Sequence, residues 1–209
     1  MFRYGSTNGQ TSATPASEIV EQSQEADLVH QAQLGSHEAF TDLFARYNQQ
    51  IYKYLLRSVN NTEVAYDLAQ DTFLAAWQAL PLMPVQMYFR PWLYKIATNK
   101  AVSWWRRNTQ INWLSWEKQE STSYVPSAFE EQVALTDLVQ KILRTLPDAQ
   151  RACLLLQSVG GFKIDEIAQI LHMNSKTVSV YISRAREHFR QTYTGLQNDH
   201  SETTEGGLH

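Results

Sequence analysis

Apolar residues recur at three- and four-residue intervals through most of this 209-residue chain, and no segment alternates in twos. That period constrains the fold more than any other feature. A helix apolar along one stripe must bury the stripe, and with no strand pattern to receive it the partner is another helix. Phe40, Leu43, Phe44, Tyr47, Ile51, Tyr54 and Leu55 predict a helix over about 36–58. Ala65, Leu68, Ala69, Thr72, Phe73 and Ala76 predict a second over about 62–80. A third opens near Pro91, a residue suited to a first helical turn, and runs to about Arg107. A shorter helix precedes these over about 25–34.

Helices resume at about 130–145 and 149–158, with Asp148 placed to cap the latter and Gly160-Gly161 to stop it. Two more follow at about 163–171 and 175–193. Between the two groups lies NTQINWLSWEKQESTSYVPSAFEE, whose Ser, Thr, Gln and Pro126 mark a linker. The expected fold is all-α: two small helical domains, 25–108 and 130–194, joined by a flexible linker at 109–129. The polar ends, 1–24 and 195–209, are expected to be disordered tails.

Charge is unevenly placed. From Glu18 to Asp71 nine acids face three bases, whereas from Thr72 to Trp116 there are five bases and no acid. From Ala149 to Thr194 six bases face three acids. Two basic zones and one acidic zone imply a polyanion for the former and a different partner for the latter.

In IDEIAQILHMNSKTVSVYISRAREHF, Ile164, Ile167, Ala168 and Leu171 share one face of a short helix. Val178 and Ile182 share one face of the next, and small Ala168 lets the two cross closely. This is helix-turn-helix spacing, with the second helix free to enter a DNA major groove. Asn174 or Ser175 can cap it. Ser175, Lys176, Ser179 and Val180 are its first exposed positions, and Arg184, Arg186 and Arg190 suit phosphates. His172 stands in the turn where glycine is usual. An ordinary helical hairpin with a basic solvated face has the same spacing.

In the second helix, Asp67, Gln70, Asp71 and Leu74 fall opposite Leu68. This acidic stripe is either a solvated face or a docking surface for a basic partner. In the third, Leu93, Ile96, Ala97, Ala101 and Trp104 form the expected buried stripe, while Lys95, Asn99 and Arg106 lie on the far side with Trp92 at its edge. Upstream, LPLMPVQMYFR is a loop with two exposed-looking aromatics. Aromatic faces beside cations suit single-stranded DNA, at about 1–3 kcal/mol per stacked base, although core packing is the simpler account of any one tryptophan.

Taken together, GSHEAFTDLFARY, DLAQDTFLAAW, PWLYKIATNKA, WWRR, LPDAQRACLLL, IDEIAQIL and KTVSVYISRAR resemble the extracytoplasmic-function (ECF) sigma factors, small two-domain members of the sigma-70 family. The resemblance spans about residues 25–193. It implies a promoter-specificity subunit that binds core RNA polymerase, recognises −35 and −10 promoter elements and promotes melting. Carried over by motif, Asp67, Gln70, Asp71 and Phe73 sit where the family binds polymerase. The loop from about Leu82 to Arg90 sits where it captures a flipped base. Arg90, Trp92, Lys95, Asn99, Arg106 and Arg107 sit in the −10-reading part. Ser175, Lys176, Thr177, Ser179, Val180, Arg184 and Arg186 sit in the −35-reading helix. Ser179 and Tyr181 replace the family's frequent Lys and Arg, and the aspartate usual after the DNA-helix asparagine is missing after Asn99. The implied partners are core RNA polymerase, promoter DNA and, as is common in the family, an anti-sigma factor. The protein is expected to be a monomer outside the holoenzyme.

The remaining features narrow the class. The six histidines are scattered, and there is no phosphate-cradling glycine loop or nucleophile elbow. No enzyme, catalytic residue, metal or cofactor is expected. The single cysteine, Cys153, lies in an apolar run and reads as a buried thiol. No membrane span and no secretory h-region are visible, which favours the cytoplasm. Two rivals are a dimeric helix-turn-helix regulator and a helical adaptor with no DNA role. The first leaves the DLAQDTF and WLYKIATN segments unexplained, and the second predicts that reversing the charge of Lys95 and Arg106 changes nothing in transcription.

Overall fold

A computed structural model describes residues 16–83, 88–112 and 128–205, with side-chain surroundings over 23–83, 88–108 and 137–195. Every regular element among the described residues is helical. The order is α1 (Ala16–Gln33), α2 (His37–Val59), α3 (Thr62–Ala79), a 3-10 turn (Leu80–Leu82), α4 (Phe89–Asn112), α5 (Ala128–Thr145), α6 (Asp148–Ser158), α7 (Ile164–Leu171) and α8 (Ser175–Glu205).

Local chemistry sets the joints of the first bundle. Ser36 Oγ accepts the Ala39 N–H at 3.2 Å and starts α2. Asn60, left-handed at φ 50°, ends it, a conformation that asparagine tolerates better than most residues. Its neighbour Asn61 starts α3 by accepting the Val64 N–H at 2.9 Å. The paired asparagines therefore turn the chain back with no intervening loop, and α2 packs on α3. Both helices pack on α4 around fully buried Leu43, Ile51, Leu55, Leu93 and Ala97. Polar atoms inside this core are satisfied. Tyr54 Oη and Thr98 Oγ1 lie 2.8 Å apart, Ser58 Oγ donates to the Tyr54 carbonyl at 2.7 Å, and Trp105 Nε1 donates to the Ser58 carbonyl at 3.0 Å. The Tyr47 hydroxyl and Arg46, at 3.7 Å, both engage Glu25, which holds α1 on the bundle.

The second bundle, α5–α8, closes on Ile142, Leu156, Phe162, Ile167, Val178 and Ala185. Its tight point is the turn after α6. Gly161 has φ +70°, and a Cβ on Gly160 would meet the Leu156 carbonyl oxygen at 2.6 Å and the Phe162 ring at 2.8 Å. Gly160→Ala should therefore cost about 1–3 kcal/mol, the usual price of overpacking, read as a shift in the urea midpoint at unchanged slope.

Burial pushes the Tyr47 and Tyr54 phenols well above their ordinary 10.0, helped at Tyr47 by the Glu25 hydrogen bond. It likewise raises Tyr94, and lifts the Cys153 thiol from 9.0 to about 11. Each group is neutral in the fold and ionises more readily once unfolded. The stability they support is complete below their unfolded values and is lost as the pH climbs towards the folded ones. The melting temperature should fall steeply above about pH 10, and Cys153 should resist alkylation at pH 8 until denaturant is added. Calorimetry against pH and a timed thiol assay check the two.

Several expectations are corrected. Helix α1 begins at Ala16, inside the segment read as a tail, because no Gly or Pro interrupts 16–34. Helix α8 passes the lone Gly195 and runs to Glu205, since one glycine costs a helix only about 1 kcal/mol. Asp148 is the first residue of α6 and not its cap; its carboxylate pairs with Arg106 instead. Helix α4 continues five residues beyond Arg107, so the linker expected at 109–129 is helical at both ends, and its central residues 113–127 lie outside the described residues. Trp105, not Trp104, is the tryptophan buried at the end of α4. It gains a hydrogen bond to Ser58 and the Arg151 guanidinium over its ring at 4.4 Å.

Candidate nucleic-acid and protein interfaces

On α3, Leu68 faces the core while Asp67, Gln70, Asp71 and Leu74 are exposed, as the stripe required. Asp71 lies 3.5 Å from Lys100 of α4, an exposed pair. Phe73, expected on this surface, is instead core, 5% exposed, with its ring edge-on to Phe44 at 4.8 Å. Phe44, placed in the buried stripe of α2 by its spacing, is 42% exposed. The reason lies between the helices. Phe44, Asn48, Gln49 and Tyr52 of α2 and Tyr66, Ala69, Gln70 and Phe73 of α3 line a mainly apolar groove of about 410 Å³. The periodicity missed this groove. Its one sequence signal was Tyr66, an aromatic beside the acidic stripe.

The loop reached through Leu82 and Tyr88 has residues 84–87 outside the described set. Leu82 and Tyr88 are strongly exposed, whereas Phe89, read as exposed, is buried against Tyr47 and Trp92. Trp92 is buried too, so among the described aromatics on the basic strip of α4 and its approach only Tyr88 is strongly exposed. Asn99, Arg106 and Arg107 are exposed on α4, and Arg90 and Lys95 are half-buried.

The half-burial has a cause the sequence did not reveal. Helix α4 also packs on α6 and α7 of the second bundle. Arg90 lies over the Phe162 ring at 4.2 Å and donates to the Gly160 carbonyl. Lys95 meets His172 Nε2, and Arg106 lies 3.3 Å from Asp148. Tyr94 and Phe162 stack edge-on at 4.8 Å, and Gln140 Nε2 donates to the Arg57 carbonyl at 2.9 Å. Arg151, 6% exposed, sits over Trp105 with Nε unpartnered; burial lowers its proton affinity against the opposing pull of Asp148.

The helix-turn-helix is formed by α7 and α8. His172 takes the left-handed turn at φ 52°. Asn174 Oδ1 accepts the Lys176 N–H at 2.8 Å, and Ser175 Oγ donates to Asp165 at 2.7 Å. Lys176, Ser179, Val180, Arg184 and Arg186 are exposed, and Ser175 and Thr177 partly so. Arg186 is tied to Gln157 at 2.8 Å.

Comparison with known proteins agrees with this layout. The family described as Sigma-70 region 2 matches residues 43–111, and that described as Sigma-70, region 4 matches 136–189. The RNA polymerase sigma factor YlaC of Bacillus subtilis is 30% identical over 161 residues, covering 75% of this chain and 93% of its own length. The ECF RNA polymerase sigma-E factor of Escherichia coli is 30% identical over 171 residues, covering 77% and 89%. The chain belongs to the ECF sigma factors of the sigma-70 family. Sigma factors serve RNA polymerase in promoter recognition and initiation and are not catalysts, and this sigma factor is of that functional class. Its fold is shared with solved structures. CnrH in complex with the cytosolic domain of CnrY has a TM-score of 0.65 at 24% identity, covering 82% of this chain and 98% of that one. The sigma factor RpoE of Bartonella quintana, solved with the anti-sigma factor NepR, has 0.57 at 23%, covering 74% and 96%. Among the described residues, no helix of this sigma factor is long and apolar enough to cross a membrane.

Proposed function

We propose a division of labour within this sigma factor. Residues 25–108 bind core polymerase through Asp67, Gln70 and Asp71 and engage the −10 element through Arg90, Lys95, Asn99, Arg106 and Arg107. Residues 130–194 engage the −35 element through the exposed start of α8. The observation that carries this reading is that α3 and α4, packed in one bundle, present an acidic and a basic strip. Phe73 and Trp92 support these strips from the core. The site of action is the cytoplasm, the protein is a monomer outside the holoenzyme and has no catalytic activity of its own, and an anti-sigma factor is a natural antagonist.

Run-off transcription tests the reading. The purified protein is added to bacterial core RNA polymerase with templates from its own genome. Discrete transcripts that require the protein are expected; no transcript and no complex with core would reject it. Within the holoenzyme, Lys176→Ala and Arg184→Ala should each weaken duplex promoter binding across sequences and reduce the slope of log K against log salt by about 0.9. A Ser179→Ala change should alter preference at one −35 position and leave the salt slope unchanged.

A further inference from the structure

Two side chains stand out into solvent on either side of residues 84–87: Leu82, 86% exposed, and Tyr88, 73% exposed. Each is next to a residue locked in the core, Met83 at 7% and Phe89 at 1%. Both anchored ends lead back to α1. On the entry side, Gln33 Nε2 donates to the Leu80 carbonyl at 3.3 Å. On the exit side, the Phe89 ring lies against the Tyr47 ring at 5.6 Å, and the Tyr47 hydroxyl donates to Glu25, which Arg46 also engages at 3.7 Å. Between these two polar links, Leu28, Val29 and Ala32 seat α1 on the core. Glu25 and Gln33 lie outside residues 43–111, which the region 2 family matches, and outside the proposed DNA and polymerase surfaces. We propose that α1 is a positioning element for promoter melting: Glu25, through Tyr47, and Gln33, through Leu80, hold Tyr88 and Leu82 in the arrangement that receives an unstacked −10 base. The role rests on the reading of α4 and its approach as the −10 strip, and gives that strip a brace on another helix.

An aromatic ring beside cations is where an unstacked base gains most, and Tyr88 stands two residues before Arg90. A base leaves its duplex only for a pocket ready to receive it. Side chains carried on a loop make such a pocket only when supporting contacts fix the ends of the loop. The brace is built for that task. Tyr47 is 4% exposed, so water competes little for its hydroxyl, and the charge on Glu25 strengthens the hydrogen bond.

Holoenzyme assembled from core polymerase and either the parent or a variant tests the role. Fluorescence anisotropy measures its binding to a labelled oligonucleotide, the non-template strand across the −10 region of a promoter that it transcribes, intact and with an abasic residue at each position in turn. One abasic position should weaken parent binding by at least about five-fold, the worth of one stacked base. With Glu25→Ala and Gln33→Ala combined, the intact strand should bind at least about five-fold more weakly, and the same abasic position should cost less than about two-fold, because the base has no formed site left to lose. Glu25→Gln, whose amide oxygen still accepts the Tyr47 hydroxyl, should keep the parent's penalty. Binding to core and to a −35 duplex should be unchanged, and melting curves verify the fold. Gln33→Ala alone should show the same two effects in smaller measure, and serves if the combined variant does not fold. A folded combined variant that keeps the parent's abasic penalty would overturn the brace, as would an equal weakening of −35 and −10 binding, the mark of a general loss of structure. Failure of the strip itself looks different: no abasic position would then cost the parent anything, and Tyr88→Ala and Leu82→Ala would bind as the parent does.

Discussion

Core polymerase should lose this sigma factor almost completely when Asp71 is replaced by lysine. Reversing one charge at a complementary interface removes an attraction and adds a repulsion, and about 2 kcal/mol or more corresponds to a loss of at least about 30-fold. The change should not disturb the fold. Asp71 is exposed, and its pairing with Lys100 at 3.5 Å is of the surface kind worth about 0–1 kcal/mol. Co-purification with core, or fluorescence anisotropy of a labelled sigma factor, measures the effect; an unchanged melting curve separates docking from folding. Full polymerase binding by Asp71→Lys would move the docking surface off α3. Tyr66→Ala is a useful companion. It removes an exposed ring from the rim of the groove beside the acidic strip without touching the core.

Trp105→Ala should be the most damaging single change to stability. The indole is 2% exposed, donates to the Ser58 carbonyl and receives the Arg151 guanidinium on its face. Truncation deletes all three interactions and leaves a void, at about 3–5 kcal/mol, and the melting temperature should drop by more than about 10 °C. Trp105→Phe separates the contributions. It keeps most of the volume and the π-face but removes the donor, so a loss of about 1–2 kcal/mol is expected from the orphaned carbonyl. Equal losses for the two variants would mean that the hydrogen bond, not packing, holds the end of α4.

Much of this was legible in the sequence because helical periodicity reports burial directly. Leu68 faces inward and Asp67, Gln70 and Asp71 outward because a helix leaves no other choice once its apolar stripe is known. The turn at His172 was legible because the residue stands where a helix-turn-helix usually has glycine, and histidine tolerates the left-handed conformation found there. What escaped was whatever depends on a second element. Phe44 fits the buried stripe of α2 by spacing yet stands half-open, one edge on the Phe73 ring of α3 and the rest lining the groove between the helices. Trp104 and Trp105 are adjacent and chemically identical; only the arrival of Arg151 and the Ser58 carbonyl selects the second. Arg90, Lys95 and Arg106 show the same limit from the other side. Their charge was visible, but their partners lie about 40–80 residues away in sequence. No local pattern encodes such a pairing.

Arg151 gives the joint between the bundles its character. Its guanidinium is buried, with one nitrogen unpartnered and its nearest carboxylate oxygen, on Asp148, only at 4.0 Å. Nη2 donates to the Arg144 and Leu146 carbonyls at 3.2 and 3.1 Å, and the Trp105 ring lies beneath at 4.4 Å, so dipoles and a π-face hold this cation more than any carboxylate does. The tryptophan at the end of α4 therefore acts as solvent for a charge on α6: whatever removes the ring leaves the cation to be hydrated elsewhere.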